Sequence, residues 1–309
     1  MRKKRPSTFL IAGLGSIGRR HLSIVRGIVP DAKIIGLELA DYDRSILGDA
    51  DISIYHDIED ALAENIDAAI VANPAPFHVE TARALAQIGV DLFIEKPLSD
   101  ATDGISDLID KCKTDDLVLQ VGYCLRFEPT LACLKDAVAD GRIGRVISLS
   151  CEVGQYLPDW RKGTDYRKDV SARKEMGGGV LLELSHEIDY AQWICGKINS
   201  IFANINRLGD LEIDVEDHVD MLVGFENGSF GQIHINMIQR CESRSCRVIG
   251  AEGTVEWDGI TNTTRLFRVE RGDWQTISPD TNDAADDIYE RQFRDFIRCI
   301  ETGAKPLVG

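Results

Sequence analysis

Four short stretches carry the residue types that can do chemistry. The first is Ala12-Gly-Leu-Gly-Ser-Ile-Gly18, which fits G-x-G-x-x-G. It follows one apolar run and opens a helical pattern, the context in which this motif binds a dinucleotide. Gly13 would make the tight turn, Gly15 would let backbone approach a pyrophosphate, and Gly18 would let helix and strand pack closely. Ser16 and Ile17 then begin a helix whose free N–H groups and dipole favour phosphate. A glycine-rich turn with no ligand is the rival reading. Against it stands Glu38, twenty residues past Gly18 at the end of the second apolar run. A carboxylate there accepts ribose hydroxyls and repels a 2′-phosphate, so NAD is favoured and NADP remains possible. Arg44 could accommodate a phosphate, and Asp41 or Asp43 could replace Glu38 if the strand ends later.

The next two stretches follow later apolar runs. Asn73-Pro74-Ala75-Pro76-Phe77-His78 comes after the fourth, and Glu95-Lys96-Pro97 after the fifth. In an open α/β sheet, ligands bind outside the carboxyl ends of the strands. Asn73, Pro74, His78, Glu95 and Lys96 are therefore candidate cofactor contacts. Lys96 has a plain alternative, a surface lysine ahead of a turn proline. The fourth stretch is GGGVLLELSHEIDY, 177–190. His186 sits among Glu183, Glu187 and Asp189 in an apolar helical pattern. An imidazole titrates near neutral pH and can move a proton. It can equally be a satisfied core histidine. Glu183 and Asp189 lie three residues to either side of it, a spacing that shares a helix face.

The elements that must position these groups follow from hydrophobic periodicity. Up to residue 122, short apolar runs alternate with helical patterns. The runs cover 8–13, 33–39, 52–55, 67–72, 91–94 and 117–122; the helical patterns cover 17–28, 57–64, 76–88 and 100–113. That alternation predicts βαβ units and a parallel sheet covered on both faces. A helix over 127–140 follows, then Gly141 to Gly144 as a stop. Beyond it come strands near 146–153, 200–207, 217–225, 229–237, 245–249, 254–257 and 264–269. Asn227-Gly228 marks a hairpin. A helix starting at Gly179 is expected to cover one face of this sheet, and a long amphipathic helix spans about 285–302. The class is thus α/β, with an N-terminal Rossmann domain over 1–122. A C-terminal α/β domain over 123–309 is built on a large, mainly antiparallel open sheet.

Composition removes several functions. The 309 residues carry a formal net charge of −16, which repels nucleic acid and anionic membrane. The apolar stretch after Met1-Arg-Lys-Lys-Arg5 is too interrupted to be a signal peptide. No run of apolar residues is long enough for a membrane helix. Eight cysteines without a C-x-x-C pair point to reduced, buried thiols and a cytoplasmic setting. Cys241 and Cys246 could bridge or bind metal, but no paired histidines accompany them, so no metal is expected. Trp160, Tyr166 and Arg167, with Arg161, Asp165 and Arg173, lie on a long polar segment before the triple glycine. This is either a sugar-binding surface or a solvated loop.

Taken in order, GLGSIGRRH (13–21), NPAPFH (73–78), EKP (95–97), GYCLRFEP (122–129), GRIG (141–144) and GGGVLLELSHEID (177–189) resemble one family. It is the glucose–fructose oxidoreductase, inositol dehydrogenase and rhizopine-catabolism family, abbreviated Gfo/Idh/MocA. The resemblance implies a Rossmann domain and an α/β domain, with a sugar, sugar nucleotide or cyclitol bound between them. It places Lys96 beside the reacting hydroxyl, often ahead of a cis proline. It makes His186 the acid/base, with Glu183 as the upstream acid, and it places Arg126 along the pocket. It further implies pairing through the large sheet into a homodimer or homotetramer.

Two departures stand out. Family members often have an aspartate four residues before the histidine, whereas Glu183 is three before. Many also continue past the final helix with a segment that returns to the Rossmann domain, while this sequence stops at Gly309. The reaction implied is oxidation of a secondary alcohol, or its reverse. His186 would take the hydroxyl proton, Lys96 would stabilise the alkoxide, and Glu183 or Asp189 would orient the ring. Two other functions stay open: an NAD-linked regulator, and redox-assisted glycoside cleavage. Retention of both Lys96 and His186 favours the dehydrogenase.

Overall fold

A computed structural model of the chain describes residues 4–38, 52–279 and 287–309. It divides into two compact units, one of residues 1–123 with 287–309 and the other of 124–286.

The first unit is built on six parallel strands. They are β1 (Thr8–Ala12), β2 (Lys33–Leu37), β3 (Ser53–Tyr55), β4 (Ala68–Val71), β5 (Asp91–Ile94) and β6 (Leu119–Val121). Their order is β3-β2-β1-β4-β5-β6, so the direction of winding reverses beside β1. That is the switch point where such sheets bind dinucleotides. Alternate residues of each strand enter different cores, because successive side chains point to opposite faces. Leu10, Ala69, Val71, Leu92 and Ile94 pack with α2 (Ile58–Leu62), α3 (His78–Gln87) and α4 (Ile105–Thr114). Phe9, Ile11, Ile70 and Phe93 pack on the other face with α1 (Ser16–Ile28).

The second face corrects the expected boundary. The last helix, α8 (Ile288–Thr302), does not belong with the second sheet. Its Phe293, Phe296, Ile297 and Ile300 are buried in the same cluster as Phe9 and Phe93. Phe293 lies 5.8 Å from Phe9, and Phe296 lies 5.8 Å from Phe93. The reason is coverage. Beside α1, the apolar stripe of α8 closes a sheet face that would otherwise meet water. Gly303, at φ 70°, ends the helix, and the chain then runs back to the sheet. The Val121 N–H donates to the Val308 carbonyl at 3.1 Å. Residues 303–309 thus reach β6, at the edge of the same sheet.

The second unit holds eight strands in the order β14-β13-β12-β11-β7-β10-β9-β8. They are β7 (Val146–Gly154), β8 (Ile198–Asn206), β9 (His218–Phe225), β10 (Phe230–Asn236), β11 (Ser243–Gly250), β12 (Gly253–Asp258), β13 (Thr263–Arg268) and β14 (Trp274–Thr276). All pairings are antiparallel except β7 with β10. The inward positions Leu149, Cys151, Val219, Val223, Ile233, Val248, Val255 and Trp257 are buried. Over them lie α5 (Pro129–Ala139) and α7 (His186–Cys195). Trp257 donates its indole N–H to Thr130 of α5 at 2.8 Å. The opposite face is open, with Phe202, Leu222 and Phe230 58–71% exposed.

Candidate active site

The glycine turn after β1 has the geometry its sequence demands. Gly13 has φ +86°, and a Cβ there would lie 2.5 Å from the Asn73 nitrogen. A Cβ on Gly18 would lie 1.9 Å from the Gly13 carbonyl oxygen. Both positions therefore exclude any other residue. Gly15 differs, because a Cβ there would meet nothing within 4 Å. It is the N-cap of α1 and makes no side-chain cap. Glu38 follows β2 and turns its carboxylate onto the turn, where Oε2 accepts the Leu14 N–H at 2.8 Å. Asn73 donates its amide to Thr81 at 3.0 Å, while its Oδ1 is buried with no hydrogen-bond donor from the protein. Open space at Gly15, an acceptor at Asn73 and a carboxylate at Glu38 fit a dinucleotide. Asp41, Asp43 and Arg44 lie outside the described residues.

His78 and Glu95, both candidate cofactor contacts, are buried and hydrogen-bonded within the protein. His78 Nε2 lies 2.6 Å from the Asn73 carbonyl oxygen, and Nδ1 lies 2.8 Å from that of Pro97. Glu95 Oε1 lies 2.7 Å from His21 Nε2 of α1. Its Oε2 accepts the Lys96 N–H at 3.1 Å. Gly122 is small for the same reason, since a Cβ would lie 2.8 Å from Glu95 Oε2. Pro74 begins the 3-10 turn that leads into His78. Lys96 is half-buried and its bond to Pro97 is cis, as the resemblance implies.

In the second unit the triple glycine is explained by its own polypeptide. Gly177 has φ +73° and Gly179 φ +109°. A Cβ on Gly178 would lie 2.3 Å from the Val170 carbonyl oxygen, and one on Gly179 would lie 2.4 Å from the Glu216 carboxylate. The loop wraps the segment before it too tightly for side chains. The expected single helix is also two. One turn, α6 (Val180–Glu183), ends at Leu184, and α7 starts afresh at His186. Ser185 donates its hydroxyl to the Leu182 carbonyl at 3.0 Å. The break lies between Glu183 and His186, so the three-residue spacing no longer puts those two on one helix face.

His186 is 9% exposed at the first position of α7. Asp189, three residues on, is bound by an arginine. Both its oxygens are held by Arg126, through Nε at 2.9 Å and Nη2 at 2.7 Å. Burial raises the Asp189 pKa, and Arg126 opposes the rise. Arg126, expected along the substrate pocket, is held to α7 by this pair. A second such pair was invisible in the sequence. Glu187 is fully buried, with Oε1 2.9 Å from Arg244 Nε of β11. That Nε is poorly aligned for a hydrogen bond; Nη2 reaches Oε2 at 3.5 Å. The contact is therefore chiefly Coulombic. Fifty-seven residues separate the partners, and no local pattern announces such a pair.

The loop candidates are also engaged. Trp160 donates its indole N–H to the Gln155 carbonyl at 3.2 Å. The Tyr166 hydroxyl accepts the Glu212 N–H at 3.1 Å. Arg167 pairs with Asp165 at 2.8 Å and with Glu212 at 3.0 Å. Tyr166 and Arg167 thus join the loop to the segment around Glu212. Cys246 meets Cys151, with sulfurs 3.6 Å apart, and not Cys241.

Among the described residues, one cluster answers to the donor types of a metal site: His218, Asp220 and His234, on the open face of the sheet. The sequence reading found no such set. Asn236 Oδ1 accepts the N–H groups of Ile238 and Gln239, which fixes its amide to donate to His234 Nε2 at 3.0 Å. His234 must then donate from Nδ1 to Asp220 at 2.7 Å. Its lone pair is aimed at Asn236, so Asp220 and His234 are joined in a hydrogen-bond chain that turns this lone pair away from a shared metal.

A parallel sheet with a glycine turn at its switch point defines a dinucleotide-binding α/β protein, here joined to a second unit on an open sheet. Residues 7–123 match the family model described as an oxidoreductase family with an NAD-binding Rossmann fold. Residues 131–256 match the Gfo/Idh/MocA C-terminal domain. The chain belongs to the Gfo/Idh/MocA oxidoreductases. It is 26% identical to a myo-inositol 2-dehydrogenase of Thermotoga maritima, over 96% of this chain and 89% of that protein. It is 24% identical to an NAD(+)-dependent scyllo-inositol 2-dehydrogenase of Bacillus subtilis, over 96% and 87%. The WlbA dehydrogenase of Bordetella pertussis, solved with NADH and UDP-GlcNAcA, has the same fold. It has a TM-score of 0.80 and 23% identity, covering 98% of this chain and 91% of that one.

Proposed function

We propose that this protein is an NAD-dependent oxidoreductase acting on a secondary hydroxyl of a sugar, sugar nucleotide or cyclitol. The observation that carries the reading is the glycine turn, open at Gly15 and flanked by the free acceptor of Asn73 and the carboxylate of Glu38. Gly13, Gly15, Ser16, Ile17 and Gly18 would hold the phosphates, and Glu38 the ribose. Its negative charge favours NAD over NADP. Asn73 and Pro74 would line the nicotinamide side.

The nicotinamide, when bound, supplies or accepts the hydride. Lys96 donates a hydrogen bond to the reacting oxygen and stabilises alkoxide charge. His186 accepts the hydroxyl proton during oxidation and returns it during reduction. Glu183 or Asp189 would orient the ring, Asp189 being also bound by Arg126. The names of the relatives, two inositol dehydrogenases and a dehydrogenase solved with a UDP-sugar, support this substrate range.

Two broader properties belong to the same proposal. Exposed Phe202, Leu222 and Phe230 support a homodimer or homotetramer through the open sheet. Eight free cysteines support a reducing, cytoplasmic compartment. Among the described residues, no helix is long and apolar enough to cross a membrane.

The test is a screen of sugars, cyclitols and UDP- or CMP-sugars for reduction of NAD and NADP. Net NADH with one of them is expected. Loss of the His186 proton acceptor should lower turnover by roughly 10²–10⁴-fold. Folded His186→Ala or Lys96→Met protein with near-wild-type turnover removes that residue from the mechanism. Glycoside cleavage without net NADH overturns the dehydrogenase assignment.

A further inference from the structure

Lys96 is carried on the turn after β5, and Asn73 on the turn after β4. One buried side chain touches the backbone of both. His78, at the start of α3 and 2% exposed, has a carbonyl oxygen at each ring nitrogen: Asn73 at 2.6 Å and Pro97 at 2.8 Å. We infer that His78 is a positioning residue that ties the Asn73 turn to the Lys96–Pro97 turn, and that the tie is complete only when both ring nitrogens carry protons. The inference rests on the cofactor reading above.

The chemistry is restrictive. A carbonyl oxygen only accepts, and a neutral imidazole has one N–H. The neutral ring can therefore satisfy one turn while its lone pair faces the oxygen of the other. The imidazolium satisfies both. Two charged groups act on it from the β5 turn. Glu95, itself held by His21, favours the proton, and Lys96 opposes it. Burial is the largest influence and depresses the pKa below the usual histidine value, against the pull of both carbonyls.

The sign follows from that depression. The doubly bonded state lies on the acid side of the depressed pKa, and one bond is released as pH rises through it. Folding lowers the pKa, so the unfolded chain binds this proton more tightly. Acidification thus completes the local tie while reducing global stability. Above the transition the Lys96 turn keeps its other anchor, the Glu95 carboxylate. The Asn73 turn packs directly on Gly13, so a loosened turn is felt in the dinucleotide pocket.

The experiment pairs nitrogen-15 histidine NMR with NADH binding read by fluorescence, on wild type, His78→Gln and His78→Leu. Glutamine keeps an N–H donor but cannot titrate. As pH rises from the acid side to about 6.5, the usual histidine value, His78 should pass from two ring protons to one, because its transition lies below that value. Over that range wild-type NADH affinity should fall roughly threefold to tenfold, the worth of one hydrogen bond. His78→Gln should bind NADH with no such change, and His78→Leu should bind more weakly at every pH. Identical pH profiles for wild type and His78→Gln overturn the inference. So does a ring that holds a single proton throughout. If wild type binds no NADH at all, the cofactor reading fails instead, and the nitrogen spectra alone decide the tie.

Discussion

Replacing Arg244 with methionine takes away the cation that faces Glu187, whose carboxylate is fully buried beside His186. At an effective dielectric constant of about 20, unit charges at this 2.9 Å separation attract by about 6 kcal/mol. Most of that offsets the desolvation of the pair. Removing one partner leaves the other's desolvation uncompensated, which costs about 3–5 kcal/mol. The loss has a pH signature. Burial already raises the Glu187 pKa and Arg244 pulls it down; without the arginine it rises further. A carboxyl whose folded pKa is raised loses stability as pH climbs from its unfolded to its folded pKa, by about 1.4 kcal/mol per unit. Arg244→Met should therefore be most destabilised near pH 8 and much less so near pH 5 (both about). Arg244→Met with Glu187→Gln should recover most of the loss, because no buried charge remains.

Urea denaturation followed by tryptophan fluorescence reads this directly. All four tryptophans, at 160, 193, 257 and 274, belong to the second unit. A loss below about 1 kcal/mol, or an equal loss at both pH values, refutes the argument that Glu187 is a charge held in place by Arg244.

The glycines divide into two kinds that one substitution separates. Gly178→Ala should destabilise by about 1–3 kcal/mol, since its Cβ would lie 2.3 Å from a carbonyl oxygen. Gly15→Ala should keep its melting temperature, because its Cβ meets nothing, yet lose NADH affinity in a fluorescence titration. Replacing Phe202, Leu222 and Phe230 together with serine should leave the fold intact by circular dichroism and convert the proposed oligomer to monomer in light scattering; an unchanged mass refutes pairing through this face.

Local rules carried much of the first unit. Gly13 and Gly18 announced their roles because each is set by one turn and the helix that follows it. The strands could be read because a parallel sheet buries both faces and leaves continuous apolar runs. The hairpin at Asn227-Gly228 was legible for the same reason: the Gly228 φ of +83° is a demand of the turn itself. The family could be read from six short motifs in order.

What tertiary structure decided were the partners of charged and polar side chains, and the unit to which a segment belongs. The pattern of α8 shows an apolar stripe but not which sheet that stripe covers. His78, Glu95, Arg126 and Asp189 are types that suit a site, and their positions in motifs drew them toward one. Only the fold shows that His78 holds two turns, that Glu95 meets His21, and that Arg126 closes on Asp189. Arg244 and Glu187 left no trace in sequence at all. Periodicity records which way a residue faces along its own element, over a few residues. An ion pair between a helix and a strand 57 residues away is set by how those elements pack, and that information is not local.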